Sequence, residues 1–284
     1  MPPLHEKAAA FAAMHRGRDI IVLPNAWDPG SAVLMAEAGF LAIATTSAGV
    51  AFTQGLPDGQ RIDRERMLAL AGQIAAAVEV PVSADLEAGY GPRPEDVAAT
   101  VRGAIAAGLV GCNIEDSSGD ASRPLFELPL AVERIRAGHE AARGGGLDFV
   151  LNARTDPYLV RRGQDTENFA EAVRRANAYR AAGADCLFVP GPADLETIAR
   201  LAREINGPLN VLGARGGQGG LVVADLARVG VKRVSIGGSL SLAVLGFVRQ
   251  ALAEMRERGT FSYAAGALSN AEANRLMLSR AGRR

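Results

Sequence analysis

Short apolar runs alternate along the chain with longer segments of helical periodicity. The runs are continuously apolar and rich in Val, Ile and Ala, which is typical of parallel strands covered on both faces. Because helical segments separate them, we predict crossover connections and a repeating strand–helix unit. The predicted strands are residues 20–27, 41–47, 81–87, 111–116, 149–156, 186–191, 208–213 and 233–237.

Local signals mark the ends of the predicted helices. Asp28-Pro29 predicts a cap followed by a first-turn proline, and Pro94-Glu95-Asp96 predicts a second helix start. Four Ala-rich helical stretches each end on a glycine, where a left-handed residue is needed. These glycines are Gly39, Gly108, Gly183 and Gly230.

The number of repeats favours one fold. Eight strand–helix units match a (β/α)8 TIM barrel, whereas doubly wound sheets more often have five or six strands. We therefore predict a single TIM-barrel domain over residues 1–284, with 259–284 as a C-terminal helical extension. Ser269 and Glu272 form a capping-box pattern that predicts a helix inside this extension.

Composition restricts the class of partner. The 284 residues are 48% hydrophobic, enough for one core, and they include 31 basic and 31 acidic residues. This balance gives no electrostatic footprint for nucleic acid or anionic membrane. The N-terminus lacks the apolar region of a signal peptide, and the apolar run 235–248 is shorter than a membrane span. We expect a cytoplasmic protein with a small-molecule partner, and buried, unreactive Cys112 and Cys186.

Four acidic residues fall where predicted strands run into loops: Asp58, Asp85, Glu87 and Glu115. Carboxylates gathered from separate strand ends repel one another, and such clusters usually hold a hard cation such as Mg²⁺. TIM barrels carry their active sites at these strand ends. The pattern predicts an enzyme, although each carboxylate taken alone could cap a helix or serve a turn.

Several other polar residues have two interpretations each. Arg154 could bind a substrate or form a salt-linked strand end with Asp156. Asn25 could line the barrel mouth, and Asn152 and Asn210 could do the same or satisfy buried backbone groups.

Two glycine-rich stretches, 213–220 and 236–240, suggest a rival site. Loops after the last two strands of TIM barrels often bind phosphate, so a phosphorylated substrate or a flavin is an alternative ligand. A flavin site would not need the four carboxylates, and we rank this interpretation second among enzyme functions.

Several motifs together resemble one family. They are residues 25–59 (NAWDPGSAVLMAEAGFLAIATTSAGVAFTQGLPDG), ADLEAGYG, IEDSSG, LNARTD and PLNVL. In this order they resemble the isocitrate lyase and phosphoenolpyruvate mutase superfamily over roughly residues 20 to 280. The resemblance implies a TIM barrel whose last helix is exchanged between subunits, with dimers pairing into tetramers. It also implies an α-oxo carboxylate substrate and Mg²⁺, with Mn²⁺ as an alternative.

The resemblance also implies roles for individual residues. Asp85 resembles the direct metal ligand, and Asp58, Glu87 and Glu115 resemble residues that hold the metal's waters. Of the metal-site residues, Asp58 and Glu115 are also catalytic candidates, together with Arg154.

The substrate side of the site is implied in the same way. Ser47 and Ala48 resemble backbone donors to the substrate carboxylate, and Arg154 resembles the cation that contacts substrate oxygens. With Gly49 and Asn210 they complete the predicted substrate-binding set.

The loop after the fourth predicted strand departs from the family. Lyases that cleave isocitrate and methylisocitrate carry Cys, Lys and His there, whereas residues 115–129 read EDSSGDASRPLFELP. The Lys and Asn of the mutase and phosphonopyruvate hydrolase loop are also absent. Arg123 or Ser118 could reach a distal carboxylate or simply be solvated.

We therefore expect a Mg²⁺-dependent lyase that cleaves a C–C bond of a 2-oxo or 2-hydroxy carboxylic acid through a pyruvate-enolate-like intermediate. The alternatives are a P–C bond enzyme and a non-catalytic barrel that binds a 2-oxo acid. A small-molecule carboxylate is the expected partner, and the expected assembly is a homo-oligomer, a dimer or a tetramer.

Overall fold

A computed structural model describes residues 2–160, 164–214 and 221–281. Its strands pair in parallel in one sheet, in the order β1-β9-β8-β7-β6-β5-β4-β3-β2. The strands are β1 Ile21–Leu23, β2 Asn25–Ala26, β3 Ile43–Thr45, β4 Val82–Asp85, β5 Gly111–Glu115, β6 Val150–Arg154, β7 Cys186–Phe188, β8 Leu209–Leu212 and β9 Arg233–Ser235.

The first predicted strand closes the barrel as two short segments. β1 pairs with β9 and β2 pairs with β3, so the stretch 21–26 joins both ends of the sheet. Pro24 separates the segments because it has no N–H to donate, although its carbonyl accepts from the Ala44 N–H at 2.9 Å. The predicted (β/α)8 TIM barrel is confirmed, with nine strand segments because the first strand is interrupted.

Helices surround the sheet and cover its lower end, which is the end where the strands begin. They are α1 Leu4–Arg16, α2 Pro29–Glu37, α3 Ser47–Thr53, α4 Arg64–Ala76, α5 Pro94–Ala106, α6 Leu128–Gly144, α7 Pro157–Val160, α8 Asp165–Ala181, α9 Leu195–Glu204, α10 Val223–Arg228, α11 Ser239–Arg258 and α12 Asn270–Ala281. None of the helices in the described residues has the length and apolar character needed to cross a membrane.

The predicted helix ends are confirmed in detail. Asp28 Oδ1 accepts the Ser31 N–H at 2.6 Å, and α2 begins at the following proline. Ser269 and Glu272 exchange hydrogen bonds at the start of α12. All four helix-ending glycines have positive φ angles, which a side chain would oppose. The angles are +87° at Gly39, +84° at Gly108, +105° at Gly183 and +94° at Gly230.

Three helices were not predicted, namely α1, α3 and the short α7. α3 begins directly after β3, where Thr46 caps the backbone N–H of Gly49, so residues 47–53 form a helix rather than a loop. α1 lies under the barrel and inserts Phe11 beside Leu23 of β1, Val150 of β6 and Val110, which directly precedes β5. This apolar plug closes the lower end and leaves the carboxyl ends of the strands as the open mouth.

α11 is the last barrel helix, and the segment after it leads to α12. α11 exposes many large apolar side chains, namely Leu240, Leu242, Val244, Leu245, Phe247, Val248 and Leu252. At its end, Glu254 is buried, and its Oε1 accepts hydrogen bonds from Thr260 Oγ1 at 2.7 Å and from Ser262 N and Oγ at 2.6 and 2.7 Å. This carboxylate fixes the turn that leads from α11 towards α12.

Candidate active site

Three predicted site residues are the last residues of neighbouring strands. Asp85 ends β4, Glu115 ends β5 and Arg154 ends β6. The parallel register places Glu115 opposite Arg154 and Asp85 opposite Asn113. The strand ends therefore bring these side chains to one part of the barrel mouth, as predicted.

Ser47 connects two of the carboxylates. Its backbone N–H donates to Asp85 Oδ2 at 3.1 Å. Its hydroxyl lies 3.0 Å from the same oxygen and 3.3 Å from Asp58 Oδ1, so its single proton can serve either carboxylate. Asp58 follows α3 rather than β3 and is exposed at the rim. A substrate carboxylate that accepted from the Ser47 N–H, as predicted, would therefore share this donor with Asp85.

Glu87 lies in a strained loop two residues beyond β4. Its φ angle is +50°, and Gln60 and Tyr90 have φ angles of +55° and +57°, which non-glycine residues rarely adopt. Glu87 Oε1 accepts the N–H groups of Gly59 at 3.2 Å and Gln60 at 2.6 Å, while Gln60 Oε1 accepts the Tyr90 N–H at 3.0 Å. The loops carrying Asp58 and Glu87 therefore hold each other in place.

The carboxylates oppose one another's ionisation. Burial raises the pKa of Glu87 to about 7, and the charges of Asp85 and Asp58 act in the same direction against the opposing Gln60 N–H. Burial also raises the pKa of Glu115 well above its ordinary value, although the Arg154 charge lowers it. A bound cation would favour the ionised forms of these carboxylates, so the cluster is suited to bind one.

Arg154 is fixed by two carboxylates. Its Nε and Nη2 donate to the two oxygens of Asp156 at 2.7 and 2.8 Å, and its Nη1 lies 2.8 Å from Glu115 Oε2. The salt-linked strand end considered from the sequence is therefore present. A guanidinium has five N–H groups, so two remain beyond these three contacts for an anionic ligand.

A buried network behind Arg154 was not predicted. Asp116 accepts the Asp156 N–H at 3.0 Å, and its other oxygen accepts from Thr155 Oγ1 at 2.6 Å and from the Tyr179 hydroxyl at 2.7 Å. Arg175 Nη1 adds a contact at 3.2 Å. The network joins the loops after β5 and β6. In the sequence, the network is indicated only by Asp116, an acidic residue directly after Glu115.

The asparagines serve mainly to join strands. Asn210 is fully buried, and its Nδ2 lies 3.3 Å from Ser235 Oγ. Asn152 Nδ2 donates to Asn113 Oδ1 at 2.5 Å. Asn25 bridges the barrel seam, the line along which the first strand joins β9 to β3 and closes the sheet. Its Nδ2 donates to the Thr45 carbonyl at 2.6 Å, and its Oδ1 accepts from residues 236 and 237.

The Asn25 contacts bear on the rival phosphate site. The N–H groups of Ile236 and Gly237 donate to Asn25 Oδ1 at 2.8 and 3.0 Å, so two donors of the second glycine-rich stretch are already used. Most of the first stretch, residues 215–220, lies outside the described residues. Ala48 and Gly49 lie in the first turn of α3.

The loop after β5 is bonded mainly to itself. The Ser118 hydroxyl donates to the Arg123 carbonyl, and Asp120 accepts from the N–H and the hydroxyl of Ser122 at 2.8 and 2.7 Å. The Arg123 side chain is 80% exposed.

Cys112 and Cys186 are buried as predicted, and burial raises the pKa of the Cys186 thiol to about 11. Neither thiol is suited to acid–base work at the mouth.

The donor set fits a cation with a single direct protein ligand. Asp85 Oδ1 is buried and has no hydrogen-bond partner among the described residues, which is unfavourable for an anionic oxygen. Across residues 2–160, 164–214 and 221–281, no three His, Cys, Asp or Glu side chains are grouped as a metal-ligating set. Mg²⁺ keeps several waters and often takes only one or two carboxylates, so one direct ligand with further carboxylates nearby suits it.

Comparisons with known proteins find relatives over most of the chain. The family profile described as Phosphoenolpyruvate phosphomutase matches residues 11–256. The uncharacterized protein Rv1998c of Mycobacterium tuberculosis is 39% identical over 228 residues, which are 80% of this chain and 81% of that protein.

Two solved structures are similar over nearly their full length. A Burkholderia cenocepacia protein provisionally described as a lyase or mutase is 45% identical, with a TM-score of 0.90 over 96% of this chain and 95% of its own. A 2,3-dimethylmalate lyase is 27% identical, with a TM-score of 0.84 over 98% and 97% of the two chains. With its barrel, its acidic mouth and this profile match, the chain belongs to the phosphoenolpyruvate mutase/isocitrate lyase superfamily.

Proposed function

We propose that the protein is a Mg²⁺-dependent lyase that cleaves a C–C bond of a 2-oxo or 2-hydroxy carboxylic acid. The observation that carries this proposal is the unbonded, buried Asp85 Oδ1 among acidic side chains, beside an arginine with N–H groups to spare. The carboxylates favour a divalent cation, and Arg154 favours an anionic substrate.

Each side chain has a task in this reaction. Asp85 would bind the metal directly, and Asp58, Glu87 and Glu115 would orient its waters. Bound Mg²⁺ would supply a Lewis acid to the substrate's carbonyl and carboxylate oxygens. For a 2-hydroxy acid, the hydroxyl would lose its proton and become the carbonyl of the released 2-oxo acid, while the electron pair of the broken C–C bond would pass to the other fragment, which then takes up a proton. Arg154, held by Asp156 and Glu115, would stabilise the negative charge that develops on the substrate oxygens during this step. Ala48 in the first turn of α3 would help to orient the substrate carboxylate.

The loop after β5 favours C–C over P–C chemistry. It lacks the Lys and Asn expected near a phosphoryl group, and it also lacks the Cys of isocitrate-type lyases. The 2,3-dimethylmalate lyase among the structural relatives supports a small, branched 2-hydroxy acid as the class of substrate. We also propose a homo-oligomeric enzyme, because α11 exposes a large apolar surface.

Calorimetric titration with oxalate, a planar mimic of the pyruvate enolate, tests the proposal. We expect oxalate to bind with Mg²⁺ present and not after chelation, and we expect release of a 2-oxo acid from 2-hydroxy dicarboxylic acids. Mg²⁺-dependent binding without turnover of any such acid would instead support a non-catalytic binding barrel. No binding in either condition would contradict the metal site.

A further inference from the structure

Arg233 is a charged side chain buried inside the barrel. It begins β9, is 0% exposed, and its guanidinium carbon lies 5.9 Å from the ring centre of Phe11, which plugs the lower end. Its Nε, Nη1 and Nη2 have no hydrogen-bond partner among the described residues. No other buried lysine or arginine nitrogen in the described part of the chain shares this property.

The immediate surroundings of Arg233 carry no negative charge. Phe11 is apolar, and the Cys112 and Cys186 thiols are buried with raised pKa values, so they stay protonated. His15 is also buried, and burial together with the Arg233 charge lowers its pKa to about 3, so it is neutral. An arginine side chain does not lose its proton in proteins, so an unpaired charge remains here.

Arg233 begins β9 and Asp85 ends β4, so this carboxylate lies above Arg233, at the barrel mouth. The charge of Asp85 acts on the guanidinium and favours its protonated form. Ser83 lies two residues before Asp85 on β4, so both side chains face the same side of the strand. The Ser83 hydroxyl is buried without a partner, and it borders the space next to Gly111 together with the Phe11 ring. Ser83 therefore lies below Asp85 on the inner face of β4, beside the Phe11 ring.

We propose that Arg233 is a positioning residue whose fixed charge tunes the affinity of the mouth for both of its ligands. This rests on the proposed function. The barrel interior screens charge poorly, so the guanidinium acts on the carboxylate cluster from below without touching it. Its field opposes binding of a divalent cation and favours binding of the anionic substrate. Arg233 thereby offsets part of the repulsion among the carboxylates.

Loss of the Arg233 charge should change cation binding and anion binding in opposite directions, whereas structural damage should not. A neutral side chain at position 233 should tighten divalent-cation binding and weaken binding of an anion to the metal-loaded protein. Damage to the barrel would weaken both. Arg233→Met replaces the guanidinium with an apolar side chain about as long as the aliphatic stem of arginine. Arg233→Gln is a second neutral variant, and Arg233→Lys keeps the charge.

The test measures Mn²⁺ binding by the spectroscopic signal of the free ion and oxalate binding by calorimetry at saturating Mn²⁺. In both neutral variants we expect the Mn²⁺ dissociation constant to fall by about tenfold and the oxalate constant to rise by a similar factor. Arg233→Lys should stay close to the wild type. Lys232→Met is the matched control, since Lys232 is partly exposed and bonded to the carbonyls of Gly17 and Asp19.

Unchanged or weaker Mn²⁺ binding in a folded Arg233→Met or Arg233→Gln protein would overturn the role of Arg233. Equal shifts in Lys232→Met would also overturn it, because any cation at this end would then suffice. If the wild-type protein fails to bind Mn²⁺, the metal site itself is wrong, and this result is distinct from the other two.

Discussion

Asp85 uses its two oxygens differently. Oδ2 is held by the N–H and the hydroxyl of Ser47, whereas Oδ1 is buried without a donor. Asp85→Asn keeps the shape and removes the charge, so we expect Mg²⁺-dependent oxalate affinity to fall by at least about 100-fold. Calorimetry measures this loss. Asp148→Asn, a partly exposed carboxylate that precedes β6 at the opposite end of the barrel, is the control. Equal oxalate affinity in the wild type and Asp85→Asn would rule out Asp85 as the metal ligand.

His15 makes the fold sensitive to acid. Burial, assisted by the charge of Arg233, lowers its pKa to about 3, against about 6.5 in an unfolded chain. Between these values only the unfolded chain takes up the proton, so stability is full above pH 6.5 and falls as the pH decreases. The loss is about 1.4 kcal/mol for each pH unit.

The variant His15→Gln should therefore lose less stability in acid. Between pH 6.5 and 4.5 we expect the wild type to lose about 2 to 3 kcal/mol more free energy of unfolding than the variant. Urea unfolding at both pH values measures the difference. His5→Gln, at an exposed position of α1, should behave like the wild type. Parallel curves for the wild type and His15→Gln would show that His15 titrates normally.

Single residues also show what the sequence can reveal. Asp85 and Glu115 were predictable because a strand end is a local pattern and barrel strands share one mouth. Gln60 and Tyr90 were not, because their left-handed conformations depend on hydrogen bonds between two loops. Asp116 was missed because the partners of its side chain come from the loop after β6 and from α8, which no local pattern connects.

At the scale of elements, Glu254 joins α11 to the segment before α12. Three hydrogen bonds from Thr260 and Ser262, with the Ser262 hydroxyl contributing most, lower the pKa of its carboxyl to about 2. Glu254→Gln weakens these charge-assisted bonds. We expect amide hydrogen exchange across 259–269 to become about tenfold faster. Glu257→Gln, exposed on the same helix, should leave exchange unchanged. Faster exchange in both variants would show a general effect of lost charge.

Helices were easier to predict than strand limits. Caps such as Asp28 and end glycines such as Gly183 act within a few residues, so their signals are local. Strands β3 and β7 are shorter than predicted because pairing with a neighbour, which no local pattern contains, decides where a strand stops. α3 begins after the Thr46 cap. This cap is a weaker signal than Asp28, and the apolar run around it favoured a strand over residues 41–47.

The whole molecule carries an apolar surface on α11. Phe247 is 53% exposed and Leu252 is 56% exposed, and such a surface is unusual for a monomer. Exchange of the last barrel helix between subunits, as the family resemblance implies, would bury it. We expect a dimer or tetramer by light scattering, and Phe247→Asp should lower the mass. Leu41→Asp, at a site 72% exposed, is the control. A monomeric wild-type protein would contradict the exchange.

The seam at Asn25 has a consequence for how the chain is made. The residues that meet there, Asn25 and residues 236–237, are separated by more than 200 positions. During synthesis the early strands therefore remain an open sheet with unpaired edges until β9 has left the ribosome. Closure is the most non-local step of folding, and we expect it to be slow. A nascent chain that stops short of β9 would expose these edges to other chains, so the residues from β9 onwards determine whether the earlier strands avoid aggregation.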